Sequence, residues 1–123
     1  MTLREIGKDR SRAGRGMRTR PPVDLAHLEA ETKGNPDRRN QVLRLFLRTS
    51  EECVDGIRSA ADLAGRSEAA RTLVVAAQGV GASSVAYIAS EIALAKGPVT
   101  GRLIALDRAL GAARFVIADL LRE

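Results

Sequence analysis

Aromatic side chains are scarce: the 123 residues hold two Phe, one Tyr and no Trp. A core must therefore be filled by Leu, Val, Ile and Ala, which pack well in helical bundles. Cysteine is scarcer still. Cys53 alone cannot form a disulfide within one chain, and a lone thiol fits a reducing compartment, so a cytoplasmic location is expected. One His and one Cys cannot assemble the usual zinc ligand sets, and neither a metal nor a cofactor is expected. The same single His, His27, leaves Ser83 and Ser84 without a conventional Ser-His-Asp triad. No apolar stretch follows the basic N-terminus, which argues against a signal peptide. The one long uncharged run, Thr72 to Ser90, contains Gln78, Gly79, Gly81, Ser83, Ser84 and Ser90. Its apolar density is low for hydrocarbon, so it reads as protein interior and no membrane span is expected.

What is present in excess is positive charge, and it is concentrated. Residues 1–20 carry seven basic and two acidic residues, an excess equal to the +5 of the whole chain. Residues 21–123 hold 13 of each sign and are neutral. The tail is rich in Arg and Gly without an apolar period, so disorder is expected over 1–20, with a helical domain over 21–123. Met17 offers a second place where translation could begin. Nucleic acid is therefore an expected partner only through the tail, since the domain has no basic excess of its own.

From residue 23 the apolar spacing is helical throughout, and no alternating run suggests a strand. Asp24 can cap a short helix carrying Leu25 and Leu28 that stops at Gly34. Asn35-Pro36 is an N-cap followed by Pro in the first turn. The helix it starts carries Leu43, Phe46, Leu47, Ser50, Val54 and Ile57 at spacings of three or four, and ends near Ala60. Asp62 can cap a third helix running to about Val80, with Gly81 as its stop. A fourth begins near Ala82, places Val85, Ala89 and Ile92 on one face, and ends at Lys96-Gly97-Pro98. A last helix repeats apolar residues at Leu103, Leu106, Leu110, Ala113, Ile117 and Leu120. The expected fold is all-α: an antiparallel four-helix bundle with a short extra N-terminal helix. Cys53 flanks the apolar stripe of its helix, where partial burial is expected rather than reactivity. The stretch Gly79-Val80-Gly81-Ala82 lacks a following Lys and a preceding strand, so it reads as a helix break and not as a phosphate loop.

These segments resemble the histidine phosphotransfer (HPt) domain family of bacterial phosphorelays. The family motif H-x-L-K-G-S-A-x-x-x-G-A finds its frame in R-T-L-V-V-A-A-Q-G-V-G-A, from Arg71 to Ala82. Leu73, Ala77, Gly81 and Ala82 match in register, Asp62 stands nine residues before Arg71, and the resemblance extends over residues 23–121. The departures fall on the family's chemistry. Arg71 replaces the phosphoacceptor His, Val74 replaces its Lys, and Val75 replaces the Gly that lets the partner approach. A guanidinium stays protonated at ordinary pH and cannot act as the nucleophile. The resemblance therefore implies a degenerate member, without enzymatic activity, that binds a response-regulator receiver domain or a sensor kinase without accepting phosphate. His27 is the alternative acceptor, but it lacks the family's Lys and Gly at the matching spacing and is expected to face solvent without a role.

Arg71, Val74, Val75 and Gln78 share one helical face by their spacing of three, four and seven. With Ala70, Leu73, Ala77 and Val80 already forming a core stripe, these four are expected to be exposed as the partner-binding patch. A helix rotated to bury Val74 and Val75 would leave no patch. The remaining alternatives are a dimerisation module using the apolar face of the third helix, and a nucleic-acid contact through the tail.

Overall fold

The computed structural model describes residues 21–123, which are all-helical: five helices and no strand are found among them. The basic tail, residues 1–20, lies outside the described residues, together with Met17. Helix α1 spans Leu25–Thr32 and begins where the Asp24 carboxylate accepts the His27 amide at 3.2 Å. Lys33 and Gly34, both at positive φ, then reverse the chain, and the Gly34 amide donates back to the Glu29 carbonyl at 3.1 Å. Helix α2, Pro36–Ser59, starts as its sequence requires, with the Asn35 side chain accepting from the Arg38 amide at 3.0 Å.

Helix α3, Leu63–Gly79, is capped by Asp62, whose carboxylate accepts the Gly65 amide at 2.8 Å. Gly81, at φ +73, closes it: the following Ala82 amide returns to the Ala77 carbonyl at 2.9 Å. Helix α4, Ser83–Leu94, ends two residues before the expected Lys96, because Ala95 already leaves the helical region. Helix α5, Thr100–Arg122, follows the Gly97-Pro98 break.

Each long helix packs on the next, α5 returns to α2, and α1 lies against α2. Side-chain links fix the directions of two pairs. Arg66 and Ser67 at the start of α3 bond the carbonyls of Ala95 and Ala93 at the end of α4. Arg39 near the start of α2 bonds the Leu120 carbonyl at the end of α5, while Arg58 at the far end of α2 pairs with Asp107. Both pairs therefore run in opposite directions. Between them lie Leu43, Leu73, Ile92, Leu106, Leu110 and Ile117, all fully buried. Ala70, Ala77, Ala86 and Ala89 are buried as well, and their small side chains let α3 and α4 approach closely. No helix among the described residues is long and apolar enough to cross a membrane.

Candidate protein-docking face on α3

Burying Ala70, Leu73, Ala77 and Val80 determines what the rest of the helix shows. The opposite side of α3 carries Arg71, Val75 and Gln78, all exposed, with Val75 at 69%. Val74 departs from the expectation. It is half-buried and packs against the core, because its position on the wheel falls beside Ala70 and Ala77. The four residues expected to form one patch are thus an outward ridge of three with Val74 at its foot.

The ridge separates three depressions. On the α2 side Val75 and Leu45, which is also exposed, both line an apolar groove of about 210 Å³, together with Phe46, Ala76 and Val80. Gln78 borders a second cleft beside Asp24, His27 and Ser83. Arg71 borders a third, between the start of α3 and the end of α4. Its guanidinium does not swing freely: Nη1 donates to Ser67 Oγ at 2.9 Å, and that hydroxyl donates to the Ala93 carbonyl at 2.7 Å. The cation is held over the groove, where it can receive a carboxylate.

His27 is not the solvent-facing residue its sequence position suggested. It is half-buried, and its Nε2 is enclosed without a hydrogen-bond partner. The cause is tertiary: the α3–α4 turn packs on the start of α1, and the Gly81 carbonyl accepts the Asp24 amide at 2.9 Å. Cys53 is buried, 6% exposed; burial first and the Glu52 carboxylate second push its thiol above the usual range. Among the described residues, no three His, Cys, Asp or Glu side chains gather to hold a metal ion.

Sequence reasoning missed Ser67 and the exposed Leu45 and Leu94. Ser67 had a legible signal, standing four residues before Arg71. Its carbonyl acceptor on α4 had none. No family model matches the chain, and no curated protein or solved structure matches it.

Proposed function

We propose that the chain is a non-catalytic docking module of a phosphorelay: an antiparallel four-helix bundle with a short extra N-terminal helix, similar in plan to HPt domains. It binds a response-regulator receiver domain or a sensor kinase and accepts no phosphate. The observation that carries this reading is the exposure of Arg71 on α3, in the frame that the family motif gives to its acceptor His. A protonated guanidinium there can pair with the acidic pocket of an unphosphorylated receiver, and Val75 adds apolar contact beside it. Transfer through His27 is disfavoured by the enclosure of Nε2.

The reading is tested by binding to candidate receivers with and without a phosphoryl mimic. Binding should weaken when the mimic occupies the acidic pocket, and Val75→Asp should lower affinity about tenfold or more, that is, by at least about 1.4 kcal/mol. Equal binding in both receiver states would overturn the reading. So would acid-labile phosphate on the chain after incubation with phosphorylated receiver, or a tight dimer in sedimentation that ignores receivers. The triple change Arg71→His, Val74→Lys, Val75→Gly probes the same geometry from the other side. Restored phosphoryl acceptance supports the shared plan; a folded but inert variant points to altered docking.

A further inference from the structure

The cleft between the start of α3 and the end of α4 encloses about 360 Å³ and is lined by Leu63, Ala64, Ser67 and Arg71 across from Ala93 to Lys96. Two of these side chains are cations and none is acidic. The end of a helix ordinarily puts negative partial charge into such a space through its free carbonyls. Here the Ala93 carbonyl is taken by the Ser67 hydroxyl at 2.7 Å and the Ala95 carbonyl by an Arg66 guanidinium nitrogen at 2.9 Å. The Asp62 carboxylate is engaged as the cap of α3, accepting the Gly65 amide at 2.8 Å, and is not among the residues that line the cleft. Arg71 and Lys96 therefore face the cleft with no acidic side chain in its lining. Apolar surface flanks it: Leu94 is 78% exposed, and Leu63 across the cleft is exposed too.

We infer that this cleft docks an acidic amphipathic segment of a partner protein, with carboxylates on Arg71 and Lys96 and an apolar side chain against Leu63 and Leu94. Charge selects the occupant. The chain's own residues 1–20, with seven cations, would be repelled. A second copy meeting this face about a two-fold axis would bring the Arg71 and Lys96 of both copies into one interface whose cleft lining offers them no acid. An acidic segment pairs both cations and covers both leucines. Arg71 is already oriented by Ser67, so its side chain loses less freedom on binding than an unheld arginine would. The inference shares Arg71 with the proposed receiver-facing ridge but does not depend on a receiver being the partner.

The test uses the full chain and three synthetic helical peptides: one with a leucine face and glutamates, its scrambled version, and one with lysines in place of the glutamates. The amphipathic acidic peptide should bind best, and the largest backbone amide shifts should fall at Leu63–Arg71 and Ala93–Lys96. Binding should weaken with added salt and drop about tenfold in Lys96→Glu and in Leu94→Ser, both at exposed positions where the fold should persist. The basic tail is present in every arm, so a loss in Lys96→Glu reports the cleft. Equal binding of acidic and basic peptides, unchanged affinity in both variants, or shifts confined to residues 1–20 would each overturn the inference. Receiver binding separates the two readings: a chain that binds the acidic peptide but binds no receiver, or binds it equally well as Val75→Asp, loses only the receiver reading.

Discussion

Gly81 shows how one position can be specified twice. Its backbone sits at φ +73, where a side chain is strained, and a Cβ there would stand 2.9 Å from the Asp24 Cβ and 3.1 Å from that residue's backbone N and O. Gly81→Ala should therefore cost about 3 kcal/mol in urea unfolding. Gly79, one turn residue away, is helical and has open space where its Cβ would be. Gly79→Ala should instead be neutral or gain about 0.5 kcal/mol. Loss of stability in both would mean that the α3–α4 turn is held by something other than its contact with α1. Cys53 supplies a pH-dependent counterpart. Burial and Glu52 raise its thiol in the folded protein, so the unfolded chain ionises first as pH rises. The stabilisation is complete below the ordinary thiol range and is lost as pH climbs through the raised native value. Cys53→Ala should flatten that alkaline decline, and a thiol reagent should label Cys53 slowly until denaturant is added.

Helix ends divide into those capped by their own sequence and those held from outside. Asn35 and Asp62 are local caps, legible from the residues that follow them, and Asn35→Ala or Asp62→Ala should each cost about 1 kcal/mol. The starts of α4 and α5 have no side-chain cap. The end of α5 is held by Arg39, whose side chain is only 18% exposed and which bonds the Leu120 carbonyl at 3.2 Å and the Glu123 carboxylate at 3.5 Å. Arg58 and Asp107 make a shorter pair at 2.6 Å, but each is 50% exposed, so solvent screening leaves it worth little. Hydrogen exchange should therefore quicken in the last turn of α5 for Arg39→Met, while Asp107→Asn should change stability by less than about 1 kcal/mol. A larger effect of Asp107→Asn would place the fastening of α5 nearer its start. Neither arginine stood out in the sequence, because each partner lies across the fold on another helix.

Net charge looks different once it is resolved along the chain. The +5 belongs to residues 1–20, and the helical domain from residue 21 onward is balanced. The ion pairs found among the described residues have at least one exposed or half-exposed partner. Raising ionic strength to about 0.5 M should accordingly shift the unfolding free energy by less than about 1 kcal/mol, a change read from denaturant midpoints at low and high salt. Binding of an acidic partner to the cleft that Arg71 and Lys96 line, in contrast, should be salt-sensitive.

The sequence by itself determined the helices, their order and most of the core. Those features rest on local signals: Asp24, Asn35 and Asp62 before their helices, Gly34 and Gly81 after them, and apolar residues every three or four positions between. The exposure of Arg71, Val75 and Gln78 was legible for the same reason, since one turn of helix fixes which side chains face away from Leu73 and Ala77. Tertiary structure alone decided that His27 is enclosed under the α3–α4 turn. It also decided that Arg71 is anchored through Ser67 to Ala93, and that Lys96 and Leu94 share its cleft. Each of these depends on what another helix or turn brings close, and periodicity within one helix carries no record of its neighbour.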